Sequence, residues 1–527
     1  MDEDPRRGTG PNRRGVLIGA CSWAAVVALA HDGLRLAHAG GTDGAPAPTQ
    51  GGVSFAEDHV RKLAEKLAAS DFSRPTAEVP EPFGDLSPKQ YRDIRLRPDA
   101  TVWRGAGIDY EVRPLPLGWI YDTPVEIWIV SGGEAQSLTA DSTSFTFGPS
   151  IENAPKEAPF GFSGFRVSSV INRAGALDEF ISFQGASYFK AVGQGQRYGL
   201  TARGLAVETA RPGGEEFPFF RAFWIERPEP GARDIVIHAL LDCESAAGAY
   251  TFVVRPGRDT IIDVEATLFP RRSLKHVGIA PLTSMYYMGP AQRRVKADYR
   301  PAVHNSDGLA VINGGGERLW RPLTNPRMLQ TSAFVDKNVK GFGLAQRNRS
   351  FSDFEDAEAR FERRPAAWIE PKGNWGGGFV ELIEIPAREE IHDNIVVYWK
   401  PAEALEPGTG HEFAYRVTWG ENLPVVWSGA WVSQTRMGSA GKADRFVFVV
   451  DFTGPSLDDL AELPAADLSV SAGAVSNVVL HRLPDAQGLR VKFNLNAAGT
   501  DLIELRLGLR VASQLISENW LYRWTRA

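Results

Sequence analysis

Residues 250–268 read Tyr250-Thr251-Phe252-Val253-Val254, then Arg255-Pro256-Gly257-Arg258-Asp259, then Thr260-Ile261-Ile262-Asp263-Val264-Glu265-Ala266-Thr267-Leu268. Two runs rich in β-branched and aromatic residues flank a Pro-Gly turn, which predicts a β-hairpin. The same period of two recurs upstream, where Val125, Ile127 and Ile129 alternate with Glu126 and Trp128, and where Ile235, Ile237 and Ala239 repeat the pattern. Downstream, an apolar strand at 395–399 precedes Lys400-Pro401-Ala402-Glu403-Ala404-Leu405-Glu406-Pro407-Gly408-Thr409-Gly410, a composition shift that marks a linker over 400–410. Beyond it Phe413/Tyr415/Val417/Trp419, Phe446/Phe448/Val450, Leu489/Val491/Phe493/Leu495 and Ile503/Leu505/Leu507/Leu509 alternate cleanly. Several short strands in so compact a segment predict an immunoglobulin-like sandwich over 411–527. The fold expected is mainly β: a large β-sandwich domain with a cleft over 54–399, then the smaller sandwich.

Composition agrees. The chain has 527 residues, with 53 Gly, 35 Pro and 10% aromatic residues, which favours a turn-rich β protein with ring-lined clefts over a helical bundle. A net charge of −6 argues against a nucleic-acid partner. Ser54 and Glu57 have capping-box spacing ahead of the stripe Phe55, His59, Val60, Leu63 and Leu67, so a helix is expected to open there. Ser87-Pro88 predicts a second, short helix.

The N-terminus sets the compartment. Arg13-Arg14 precedes an uncharged run at 15–30, and small-x-small triplets follow at Ala28-Leu29-Ala30 and Ala37-His38-Ala39. This is the pattern of a twin-arginine export signal over 1–39, followed by a flexible Gly/Ala/Pro/Thr tether over 40–53. The apolar run is shorter than the roughly 20 residues a spanning helix needs, so no stable membrane insertion is expected. Loss of the signal removes Cys21 and leaves Cys243 alone, without an internal disulfide partner. The expected destination is the periplasm.

The nine histidines show no zinc-ligand spacing, and no G-x-S-x-G elbow or P-loop is present. Gly193-Gln194-Gly195-Gln196-Arg197-Tyr198-Gly199 misses the dinucleotide fingerprint by one residue and reads as loop glycines. Neither a metal nor another cofactor is expected. What remains is acid-base chemistry by carboxylates on a ring-lined surface. The densest mixture of aromatic, polar and glycine residues runs over 275–394. It includes Tyr286-Tyr287, His304-Asn305-Ser306-Asp307-Gly308, Trp320-Arg321-Pro322, Trp375 and His392-Asp393-Asn394. Sugars present apolar ring faces and hydroxyl rims, so a carbohydrate site needs aromatic platforms beside Asp, Asn and Arg.

At these residues the chain resembles the OpgG/OpgD family of periplasmic glucan biosynthesis proteins, which act on osmoregulated β-1,2-glucans. The matching strings include Phe145-Thr146-Phe147-Gly148, Gly185-Ala186-Ser187-Tyr188-Phe189, Tyr198-Gly199-Leu200-Thr201-Ala202-Arg203-Gly204-Leu205-Ala206, Phe223-Trp224-Ile225-Glu226-Arg227-Pro228, Ala280-Pro281-Leu282-Thr283-Ser284-Met285 and Phe448-Val449-Val450-Asp451-Phe452-Thr453-Gly454. The twin arginines look like the OpgD branch.

The resemblance implies glycoside chemistry, as an inverting β-1,2-glucanase or an inverting transglycosylase that closes the glucan through an α-1,6 linkage. The family's general acid is the Asp of an Asn-Asp-Asn-Ile string, matched by Asp393 in His392-Asp393-Asn394-Ile395. The base-like Asp of hydrolytic members is matched by Asn305, and a relay Tyr by Phe361 ahead of Arg363-Arg364-Pro365. An amide cannot accept water's proton at neutral pH, so hydrolysis would need a substitute such as Asp307. Tyr286, Trp320 and Trp375 are the expected sugar platforms, with Arg321 and Asp307 bonding hydroxyls. Three functions stay open: a transglycosylase, a glucanase using Asp307 or a remote base, and a non-catalytic glucan-binding assembly factor. The expected partners are β-1,2-glucan and an inner-membrane glucosyltransferase.

Overall fold

The computed structural model describes residues 52–526 except 77, 78, 80, 140, 152–159, 293–297, 443, 459 and 485–487. The expected signal and nearly all of the tether lie outside the described residues. The fold is mainly β, and no described helix is long and apolar enough to cross a membrane.

The hairpin at 250–268 forms as Ala246–Arg255 paired with Thr260–Pro270. Tyr250, Phe252, Val254, Ile262, Val264 and Leu268 point into the core, while Glu265 on the alternate face is exposed. The hairpin sits within a sheet to which sixteen described strands belong. A second, ten-stranded sheet packs against it, running from Gln330–Lys337 through Gly377–Glu384, Ile395–Pro401, Val277–Ser284, Thr201–Arg203, Tyr188–Ala191, Asp178–Gln184 and Phe162–Ser169 to Tyr110–Pro116. Phe183 and Phe189 of this sheet meet Phe252 of the hairpin with ring centroids 5.3 Å apart in each case. This aromatic layer is the centre of the large sandwich.

The second sandwich pairs a four-stranded sheet, built from Trp431–Ser439, Arg445–Thr453, Gly488–Asn496 and Ala474–Arg482, with the far end of the sixteen-stranded sheet. Phe448, Phe493, Leu505, Leu507 and Trp520 fill its interior. The boundary differs from the expectation. His411–Gly420 pairs with Thr260–Pro270 on one side and Ala366–Lys372 on the other, and Tyr415, Val417 and Trp419 are buried in the core of the large sandwich. The linker expected at 400–410 therefore joins two strands of the large unit. The second core takes most of its residues from Ala430 onward but also includes Ala291, Ala310, Trp320, Ala345, Ala366 and Trp368, and a parallel pairing of Leu319 with Asn519 and Trp320 with Trp520 carries the hydrogen-bond ladder across both units. A Pro/Gly-rich connection records a chain reversal, which occurs inside a sheet as readily as between domains.

The first helix runs over His59–Ala68, with Val60 and Ala64 buried, rather than opening at Ser54. Ser54 is committed to the ladder instead: Val53 pairs with Ala135 and Ser54 with Glu134. The expected short helix forms over Pro88–Arg92, and a capping box between Ser87 and Gln90 opens it.

Candidate active site

Asp393 lies just before the strand Ile395–Pro401, where Asn394 fixes the chain. The Asn394 Oδ1 accepts from Tyr286 N (2.8 Å), and its Nδ2 donates to Tyr286 O (3.0 Å) and Ile385 O (3.1 Å). Asn394 thus clamps two neighbouring segments and leaves Asp393 buried, 2% exposed. Neither oxygen of Asp393 has a hydrogen-bond partner among the described residues. Burial without compensation penalises the carboxylate, and the pKa is pushed up to about 7 even though Arg203 and Lys190 pull it down. Near neutrality such a group holds a proton it can give away.

The two cations sit on one face of the ten-stranded sheet. Ser182 lies opposite Lys190 and Tyr188 opposite Arg203, while Phe183, Phe189 and Ala202 of the same strands face the core. Arg203 is buried; it donates from Nε to Thr283 Oγ1 (3.0 Å), pairs with Glu215 (2.5 Å) and lies 4.8 Å from the Tyr188 ring centroid. Lys190 Nζ lies 4.6 Å over the Tyr198 ring. Burial lowers the Lys190 pKa to about 8, assisted by Arg166 and Arg364 and opposed by Glu179 and Asp393.

The positions of the expected relay come to the same neighbourhood through shared partners. Asn305 N donates to Met285 O (2.8 Å), Ser306 and Ser284 hydroxyls are 2.8 Å apart, and His304 stacks on Tyr286 at 5.2 Å. Gln346 Nε2 reaches both His304 O (3.1 Å) and Phe361 O (3.3 Å). Phe361 is buried against Phe354, with the Arg364 guanidinium 5.5 Å from its centroid. Burial holds His304 down to about 3, so it is neutral and cannot serve as an acid at neutral pH.

Asp307 looks elsewhere. Its Oδ2 accepts from Arg347 N (2.9 Å), its Oδ1 is buried without a partner among the described residues, and burial pushes its pKa up to about 6 against the pull of Arg347 and Arg349. It lines a small cavity between the two sandwiches with Tyr286, His304, Trp320, Asn348 and Gln434. The charged groups acting on Asp307 and on Asp393 are different sets.

The expected sugar platforms are corrected by their surroundings. Trp375 is a core residue: its ring meets Phe413 and Tyr415 at 6.0 Å, and Nε1 donates to Ala414 O (3.2 Å). Trp320 is buried, with the Arg347 guanidinium 3.5 Å from its centroid, and Arg347 is held in turn by both oxygens of Glu518. Tyr286 is buried under His304. Arg321 is buried and paired with Glu384 (3.1 Å). Each ring and the guanidinium expected to meet a sugar is buried and already packs on or pairs with protein groups. Lys190 and Arg203 escaped the site reading, although an arginine inside the apolar run Leu200-Thr201-Ala202-Arg203-Gly204-Leu205 breaks the strand pattern and was a usable signal.

The family model for periplasmic glucan biosynthesis protein, MdoG, matches residues 55–524. The chain belongs to this family. It is 48% identical over 476 residues to glucans biosynthesis protein G of Shewanella sp. (strain W3-18-1), covering 90% of this chain and 87% of that relative. Glucans biosynthesis protein G of Shewanella baltica (strain OS195) is 48% identical over 477 residues, covering 90% and 88%. Glucans biosynthesis protein G 1 of Shewanella oneidensis is 47% identical over 476 residues, covering 90% and 87%. The protein is thus one of periplasmic glucan biosynthesis. These relatives carry the G name, whereas the expectation of the D branch rests on Arg13-Arg14, outside the described residues.

Proposed function

We propose that this protein reshapes linear β-1,2-glucan as an inverting transglycosylase, with Asp393 as general acid. The observation that carries the reading is the setting of Asp393. It is a buried, protonatable carboxyl whose charged neighbours are both cations, beside a segment where Asn305 and Phe361 occupy the positions of a hydrolytic relay. Asp393 gives its proton to the departing glycosidic oxygen as the C1–O bond breaks. A hydroxyl of the glucan, aligned by the cleft, attacks C1 from the opposite face and converts a β-linkage to an α-linkage. The attacking hydroxyl releases its proton to solvent after the new bond forms, and solvent reprotonates Asp393. Tethering raises the acceptor's effective concentration far above that of unaligned water.

A second reading, an inverting β-1,2-glucanase with Asp307 as base, is favoured by the raised pKa and unpartnered oxygen of that carboxyl. Mass analysis of the products from linear β-1,2-glucan separates the readings. Cyclic products, lighter by one water than the linear chain with the same number of units and without a reducing end, are expected together with the reducing-end fragment that leaves on the protonated oxygen. Shorter linear reducing chains with no cyclic product would establish hydrolysis, and unchanged glucan would leave a binding and assembly role. Export by the twin-arginine route and supply of the glucan by an inner-membrane glucosyltransferase complete the proposal, on the strength of Arg13-Arg14 and of the family.

Lys190→Met offers a check on the acid. A cation favours the ionised carboxylate, so its removal should raise the Asp393 pKa further and move the alkaline limb of activity upward by up to about one pH unit. An unmoved limb in the pH–rate profile would show that Lys190 does not bear on the acid.

A further inference from the structure

Three aromatic side chains other than the expected platforms form a cluster beside the polar sheet face that carries Lys190 and Arg203. Tyr91, Trp119 and Tyr121 are mutually in contact, with ring centroids 5.8, 5.4 and 5.9 Å apart, and all three are half-buried. Tyr121 rests on the turn at Gly185: a Cβ there would lie 3.1 Å from the ring, and the glycine has φ +75°. Gln184 precedes that turn and donates to the Tyr91 hydroxyl (2.9 Å) and Ser163 Oγ (3.0 Å). Gln184 lies opposite Gly164 and Ser182 opposite Arg166, so Gln184, Ser182, Arg166 and Lys190 share one face of the sheet. Arg166 acts electrostatically on Tyr91 and Tyr121 at one end and on Lys190 at the other. The cluster and Lys190, which acts on Asp393, therefore lie along one polar face of the sheet.

Trp119 has φ +58°, a region sparsely populated by bulky residues. It is held there by Trp119 N donating to Phe83 O (2.9 Å) and by the reciprocal bonds between Gly118 and Tyr121 (2.9 and 3.0 Å). Backbone held in such a conformation concentrates at binding sites, where the surrounding structure maintains it. Rings of this kind, two pairs tilted and one edge to face, and rimmed by an amide and phenols, match the alternation of apolar faces and hydroxyls along a sugar chain.

We infer that Tyr91, Trp119 and Tyr121, with Gln184, form a distal subsite that holds glucosyl units of the β-1,2-glucan chain away from the reacting bond. This rests on the proposed action at Asp393. The subsite takes over the role expected of Trp320 and Trp375, and it would hold a long chain while its reacting part lies at the acid.

Calorimetric titration in an Asp393→Asn background tests it, with long linear β-1,2-glucan and the β-1,2-linked disaccharide as the two probes. Trp119→Ala and Tyr121→Ala are each expected to weaken binding of the long glucan by roughly tenfold and leave the disaccharide unchanged. Unchanged affinity for the long glucan, or equal losses for both probes, would overturn the subsite. Absence of glucan binding by the background protein would instead overturn the β-1,2-glucan reading itself and take the subsite with it. Should either substitution unfold the chain, indole oxidation of the unsubstituted protein decides, read by mass at the peptide containing Trp119. Protection by the long glucan supports the subsite, and equal oxidation with and without glucan refutes it.

Discussion

Asp393→Asn is expected to lose turnover of β-1,2-glucan by ~10²–10⁴-fold while becoming more stable at pH 8. Asparagine has no proton to give to the leaving oxygen, so the loss belongs to catalysis and glucan binding should persist. The gain in stability has a definite sign. In the folded chain Asp393 keeps its proton up to about 7, whereas an ordinary aspartate side chain titrates at 3.8. Between those values the folded state binds more protons than the unfolded state, so the parent protein loses stability as pH rises through that window and stays at the lower level above it. Asparagine carries no such penalty. The variant should match the parent below about pH 4 and exceed it above pH 7, with an upper bound of roughly 4 kcal/mol for the displacement from 3.8 to about 7. Activity assays combined with urea denaturation at pH 4 and pH 8 check both halves. Near-parental turnover would remove Asp393 from the acid role, and a pH-independent stability difference would show that the carboxyl is not held protonated.

Trp375→Ala should cost about 3–5 kcal/mol of stability. The ring is 8% exposed and packs edge-on against Phe413 and Tyr415 beside Trp399, so truncation leaves a cavity in the core of the large sandwich. The loss of the Nε1–H bond to Ala414 O also leaves that acceptor without its donor. Thermal or denaturant unfolding measures the effect. A melting temperature close to the parent's, together with weakened glucan binding, would return Trp375 to the role of a sugar platform.

Asp393 could be singled out from sequence because the general-acid role proposed for it goes with a short string, His392-Asp393-Asn394-Ile395, in which Asn394 does the local work of fixing the chain. Its proton affinity could not, because Lys190 and Arg203 reach it from strands roughly 200 positions earlier in the chain. The platform residues failed for a related reason. Whether a tryptophan face meets a sugar or a protein group depends on what the tertiary structure lays upon it, and Trp320 is covered by Arg347, itself anchored by Glu518. No spacing rule connects positions 320, 347 and 518. The Asn305 and Phe361 departures could each be seen singly, but the bonds from Gln346 to the carbonyls of Phe361 and of His304, the neighbour of Asn305, could not.

The sequence by itself determined the β character of the chain. The alternation around Arg255-Pro256-Gly257-Arg258-Asp259 became the hairpin between Ala246–Arg255 and Thr260–Pro270, and the later alternating runs became strands. Period two is a local property, set by side chains that point to opposite faces of one extended backbone. The tertiary structure alone decided where the large unit ends, because His411–Gly420 is claimed by two strands of its sheet at distant positions in the chain. It alone decided which aromatic rings remain half-buried and which carboxyls are stripped of water. Burial and desolvation are sums over partners brought together by folding, and alternation along one strand carries no record of them.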